Sequence, residues 1–260
     1  MDLSHYMTAH FASEILPFIA AGFLAQLIDG ALGMAFGVIT NTLLVTFIGL
    51  SPARASASVH VVEMFTTAAS SISHMCHRNI DGKLFLRLAI PGVIGGVAGA
   101  FLLSNIDGKV AKPFVMAYLA CVGVYLLWRA WEMSHHHEHK AAKVVEPLGL
   151  VGGFLDAVGG GGWGPVVTSN LLVQGTEPRK TIGTVNSAEF FVTTAVSATF
   201  LYTLGLEAFT IAVVGLIIGG FLAAPLGARL AHRIPAKHLM GMVGTVLVIT
   251  SLYSIYRALT

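Results

Sequence analysis

Leu27-Ile28-Asp29-Gly30-Ala31-Leu32-Gly33-Met34-Ala35-Phe36-Gly37 lies in the middle of an apolar segment, residues 15–50. As a single helix that segment would extend about 54 Å, well beyond a hydrocarbon core of about 30 Å. The glycines break it, and the aspartate stands at the break. The same construction returns as Phe154-Leu155-Asp156-Ala157-Val158-Gly159-Gly160-Gly161-Gly162-Trp163-Gly164. Four consecutive glycines are costly inside a helix, so this run is a break rather than a packing stripe. After each break a helix restarts, at Val38-Ile39-Thr40-Asn41-Thr42 and at Val166-Val167-Thr168-Ser169-Asn170.

Outward from the breaks the match continues. Ser51-Pro52-Ala53-Arg54 leads to His60 and Glu63, and Glu177-Pro178-Arg179-Lys180 leads to Asn186 and Glu189. Gly95-Gly96 answers to Gly219-Gly220. Repeats of this length are a mark of membrane transporters, whereas soluble solenoids repeat every 20–50 residues or so.

Composition agrees. The 260 residues are 55% hydrophobic and 11% charged, with mean hydropathy +0.77 and net charge +2. Soluble domains carry about 25% charge. A soluble enzyme is therefore excluded, the small net charge gives no sign of a nucleic-acid partner, and the apolar content excludes disorder. Apolar segments fall at 15–50, 55–75, 84–103, 112–131, 148–174, 181–204, 208–230 and 239–259, separated by short polar turns. Residues 1–14 lack Lys and Arg, so no signal peptide is expected. Cys76 and Cys121 read as small apolar residues. The expected fold is an all-α polytopic membrane protein. It has two repeats (1–131 and 147–260) joined by a polar His-rich linker (132–146). Each repeat is a Gly-broken first element followed by three transmembrane helices.

Charge placement chooses the relative orientation. If each broken element crosses the membrane once, one side holds Arg78, Lys83, Arg87, Arg129, Lys140, Lys143 and Arg257, and the other holds the remaining eight basic residues. That is no bias. If each element dips in and returns, Arg179, Lys180, Arg229, Arg233 and Lys237 join the first side and Arg257 leaves it. The split becomes eleven against Arg54, Lys109, Lys112 and Arg257. The positive-inside rule favours this inverted arrangement, with residues 132–146 cytoplasmic and both termini outside.

Four acids depart from the edge-bound pattern: Asp29, Glu63, Asp156 and Glu189. A charge at mid-membrane costs about 2.5–3.5 kcal/mol on insertion scales, so such acids mark function unless they hold structure together. Asp29 and Asp156 suit both roles, since each precedes a break with unpaired amides. Glu63 and Glu189 are the candidates for carrying protons. Half-helix N-termini make anion sites without Lys or Arg. The candidate binding residues are Gly33, Gly37, Thr40, Asn41, Gly161, Gly162, Thr168, Ser169 and Asn170, with His60 and Asn186 one turn before the glutamates. Arg54, Arg179 and Lys180 are either entrance charges or topology anchors. His135, His136, His137 and His139 are weak metal candidates; a solvated loop is the simpler reading, and no metal or other cofactor is expected.

Over residues 15–258 these motifs resemble the sulfite exporter TauE/SafE family of membrane permeases, in the toluene-sulfonate uptake permease superfamily. The carrying stretches are Gly22–Gly37, Pro52-Ala53-Arg54 through Glu63, and Gly152–Pro165. The resemblance implies a cell (inner) membrane transporter of small anions, often sulfur-containing: sulfite, sulfoacetate or other organosulfonates. The expected partners are that anion and the bilayer, and a homodimer is compatible with the sequence. The expectation is proton-coupled alternating access at a midplane site between the repeats. The rival readings are a passive anion channel and, less favoured, a metal-cation transporter.

Overall fold

The computed structural model describes residues 3–32, 34–132, 142–206, 210–231 and 236–259, and among these there is no strand. Helix α1 (Leu3–Leu32) leads to the first break, after which α2 (Phe36–Leu43) restarts and continues as a π-helical stretch, Leu44–Ile48. Then come α3 (Pro52–Cys76), α4 (Gly82–Asn105) and α5 (Gly108–Glu132). The second series opens with α6 (Glu146–Gly159) and its break. A π-helical stretch (Gly164–Thr168) then runs into α7 (Ser169–Val173). It ends with α8 (Pro178–Leu204), α9 (Thr210–Ala231) and α10 (Ala236–Leu259).

Two boundaries differ from the sequence reading. Helix α1 begins at Leu3, not near residue 15, because a helix can extend beyond the apolar core into polar surroundings and hydropathy sees only the core. The two broken elements are also unequal: α1 has 30 residues and α6 only 14. Among the described residues three helices are by themselves long and apolar enough to cross a bilayer: Gly82–Asn105, Gly108–Glu132 and Met240–Arg257. Helices α3 and α8 are equally long but carry His60, Glu63, Asn186 and Glu189.

The helices pair across the two series: α1 on α9, α6 on α4, α3 on α8 and α5 on α10. Glycines permit the close approaches. A methyl group on Gly153 would collide with the Gly92 carbonyl, one on Gly22 with Leu216, and one on Gly219 with Ile19. Small residues at such seams are how membrane helices pack, because lipid offers no hydrophobic drive between them. Contacts along α4 and α6 keep step (Leu88 with Gly149, Gly92 with Gly153), so these two helices are parallel; so are α1 and α9. Along α3 and α8 the order reverses: His60 meets Phe200, Ser70 meets Asn186, and His74 meets Gly183. Those helices are antiparallel.

The outer surface is apolar, with Phe114, Trp131, Tyr202 and Phe221 exposed, as a lipid-facing surface requires. The interior holds polar residues at depth: Thr40, Asn41, Ser56, His60, Asp156 and Thr184 are all buried. Trp163 is the largest fully buried side chain. Its ring lies against Gly92, and its Nε1–H donates to the Val185 carbonyl at 3.1 Å, joining the second break to α4 and α8.

Candidate functional site

Each break is organised by its aspartate. Asp29, in the last turn of α1, accepts from the Ala35 and Phe36 amides through Oδ1 at 2.6 and 3.0 Å. Asp156 on α6 accepts from the Trp163 amide at 2.9 Å. A restarted helix leaves its first amides without intrahelical partners, and a carboxylate six or seven residues back supplies them. The second break turns through Gly160, Gly161 and Gly162 at φ 64°, 138° and 149°, values that other residues adopt only with strain.

The two breaks touch. The Asn41 side-chain amide donates to the Gly159 carbonyl at 2.5 Å. A Cβ placed on Gly37 would stand 2.6 Å from the Gly161 Cα, 2.7 Å from the Glu63 Oε1 and 3.1 Å from the Gly160 carbonyl oxygen. Beside this contact lies a cavity of about 30 Å³. Met34–Val38 form its first wall and Gly162, Gly164 and Pro165 its second, with Glu63 and Glu189 also lining it. At about 10–15 Å³ for each water centre, it has room for a water or two. Among the described residues its lining carries two carboxyls and no Lys or Arg.

Of the residues singled out in the sequence, Gly37, Gly162, Glu63 and Glu189 line this cavity. Gly161 and Asn41 lie at the contact between the breaks. Glu63 is 6% exposed with its Oε1 against Gly37, while its Oε2 makes no hydrogen bond among the described residues. The same holds for Thr40 Oγ1 and Asn41 Oδ1, on the face of α2 that Gly37 shares. His60 is fully buried and faces Asp156. Asn186 turns the other way: its amide donates to Ser70 Oγ at 3.0 Å.

Other candidates lie elsewhere. Thr168 and Ser169 are buried but do not line the cavity. Asn170 is exposed and accepts from Gln174 at 3.3 Å. Arg54 is exposed, and Lys180 is exposed with Glu177 3.9 Å away. Gly33 and His135, His136, His137 and His139 fall outside the described residues, as does the Arg179 side chain. Among the described residues no three His, Cys, Asp or Glu gather as a metal site. Sequence reasoning passed over Trp163 and Tyr118, whose hydroxyl donates to the Gly161 carbonyl at 3.4 Å. An aromatic inside a glycine run was the available signal for Trp163; Tyr118 gave none.

The profile of the family "Sulfite exporter TauE/SafE" matches residues 18–254. The chain is also 42% identical over 247 residues to the "Probable membrane transporter protein YtnM" of Bacillus subtilis (strain 168), covering 92% of this chain and 81% of that protein. No solved structure matches. The chain belongs to the sulfite exporter TauE/SafE family and is a membrane transporter.

Proposed function

We propose that the protein is a secondary transporter of small anions, sulfur oxyanions or organosulfonates, which binds its substrate where the two breaks meet and couples it to protons. The observation that carries this reading is the cavity between the breaks, with its two glutamates and no base. An anion entering beside ionised Glu63 and Glu189 would meet like charge in a dry site, which is strongly unfavourable. When Glu63 is protonated its negative charge is gone from beside Gly37, and the N-terminus of α2 can favour an anion there. Anion and proton therefore enter together. Glu189 neutralises the same space from α8.

Inverted repeats are part of the proposal, with residues 1–131 and 147–260 as the two units and 132–146 as the linker. Helices α6 and α8 both begin at the end where α4 begins: Glu146 pairs with Arg87, and Thr184 accepts from the Asp81 amide. The segment between α6 and α8 therefore dips in and returns. Parallel α1–α9 and antiparallel α3–α8 support the same course for residues 34–51. The eleven basic residues then share the side of the linker, which the positive-inside rule makes cytoplasmic.

Alternating access draws support from an inequality between equivalent seams. Where α4 meets α8, Gly92 and Gly96 are filled by Trp163, Val192 and Val196. Where α3 faces α9, a groove of about 460 Å³ remains, lined by Val62, Phe65, Thr66, Ile217, Gly220 and Phe221. Exchanging which seam is closed would expose the midplane to opposite sides in turn.

The test is sulfite flux into proteoliposomes under imposed pH gradients, comparing wild type with Glu63→Gln and Glu189→Gln. The expected outcome is folded protein whose flux no longer follows the gradient. Wild-type flux indifferent to the gradient would overturn the coupling. Unitary currents in planar bilayers would replace the carrier by a channel.

A further inference from the structure

The His60 ring is surrounded in a way that fixes its proton count. Nδ1 lies 2.8 Å from the Ser56 carbonyl oxygen and 3.3 Å from Ser56 Oγ. The Ser56 hydroxyl donates to the Ala157 carbonyl at 2.6 Å, so it turns a lone pair, not its hydrogen, toward the ring. Nδ1 therefore meets only acceptors and carries a hydrogen. Nε2 lies 3.1 Å from Asp156 Oδ2, and the other oxygen, Oδ1, is taken by the Trp163 amide. For Nε2 and Oδ2 to bond at all, a further proton must lie between them. Histidine supplies it as imidazolium, or aspartate supplies it as the neutral acid. Without it two lone pairs face each other across a site that is 0% exposed on one side and 1% on the other.

We propose that His60 and Asp156 hold a single exchangeable proton that clasps the second break to α3, and that this proton is taken up and released during transport. The inference rests on the proposed proton coupling and gives it a place distinct from the cavity glutamates. With the proton present, α3 holds the aspartate that organises Gly160–Trp163. When it leaves, the Nε2–Oδ2 bond is lost and the capping aspartate is free to move relative to α3. The titratable neighbours are Glu63 on α3, Glu189 on α8 and Tyr118 on α5, all close enough to Asp156 to feel its charge, with Asp29 at the end of α1. Among the described residues the first break shows no such clasp: its aspartate bonds backbone amides, and Asn186, the counterpart of His60, bonds Ser70.

Asp156→Asn separates the proton from the contact. The asparagine oxygen can still accept from Trp163, and its amide can donate to a neutral His60 Nε2, so the clasp persists with nothing to exchange. The first measurement is ring ¹⁵N NMR of histidine-labelled protein in detergent, with the His60 signals assigned by their loss in His60→Asn. Wild type should show an Nε2 signal that moves between proton-sharing and lone-pair positions as pH rises. Asp156→Asn should remain in one neutral form throughout. The second measurement is sulfite binding by calorimetry in buffers of different ionisation enthalpy, where Asp156→Asn should take up one proton fewer per anion than wild type. A His60 ring in the same state at every pH in both proteins would overturn the proposal, and so would unchanged proton uptake. The NMR titration needs no anion, so it decides the clasp even if sulfite fails to bind.

Discussion

Gly37→Ala addresses the contact between the breaks with one carbon atom. Alanine is ordinarily favoured over glycine within a helix by about 1 kcal/mol, and position 37 is the second residue of α2. Here the new methyl would stand 2.6 Å from the Gly161 Cα and 2.7 Å from Glu63 Oε1. The carboxyl can swing away; the Gly161 backbone, held by the turn of Gly160–Gly162, cannot. Overpacking of this kind costs about 1–3 kcal/mol, so after the helix-propensity gain the net change is a loss of about 0–2 kcal/mol. The functional effect should be larger than the stability effect, because the methyl group fills a cavity of only about 30 Å³ and separates the two breaks. Sulfite flux in proteoliposomes should fall at least about tenfold, the equivalent of about 1.4 kcal/mol in the barrier. Gly241→Ala in α10 is the control: nothing lies within 4 Å of its added methyl, so thermal unfolding and flux should match wild type or exceed it. Wild-type flux in Gly37→Ala would refute the assignment of the site, since no substrate could then depend on that space.

Asp29→Ala removes the acceptor shared by the Ala35 and Phe36 amides and should lower stability in detergent by about 1–3 kcal/mol, whereas Asp29→Asn, which keeps an acceptor, should lose less; equal thermal unfolding of the two variants would contradict the capping role. Thr66→Cys with Phe221→Cys, in a background with exposed Cys76 and Cys121 replaced by serine, spans the α3–α9 groove. Bridging the pair should stop transport and reduction should restore it, whereas a bridged protein that still transports would remove that seam from the cycle.

The breaks were legible because their chemistry is local. A glycine run after an aspartate in an apolar segment specifies a turn, a cap and a restart within about ten residues, and the structure has all three at Asp29–Phe36 and at Asp156–Gly164. What the sequence leaves open is what lies across the gap. Asn41 and Gly159 are 118 residues apart, and no periodicity links them. The direction of Asn170, outward to Gln174, depends on how the Gly164–Thr168 stretch winds; a π-helical turn shifts every later side chain around the axis relative to an α-helix. Trp163 was hidden for a related reason: its partner, Gly92, is a notch on another helix whose value appears only when the ring is in it.

The departures from symmetry carry as much information as the repeat. Position 60 is histidine where position 186 is asparagine, and the first bonds Asp156 across to α6 while the second bonds Ser70 on α3. Trp163 fills one seam, and the equivalent seam holds a groove. Two perfectly equivalent halves would give both faces of the membrane the same affinity for anion and proton, and influx and efflux would respond alike to pH. The proposed proton shared by His60 and Asp156, without a counterpart among the described residues of the first break, would remove that equivalence, because a ligand shifts a conformational equilibrium only by its differential affinity for the two states. The difference between His60 and Asn186 would therefore make the affinities and rates of influx and efflux respond differently to pH, while the gradients still set the direction of net transport. Placing histidine at 186 and asparagine at 60 should exchange the pH dependence of influx and efflux in proteoliposomes of known orientation. If the exchanged protein keeps the wild-type asymmetry, the difference between influx and efflux arises elsewhere in the molecule.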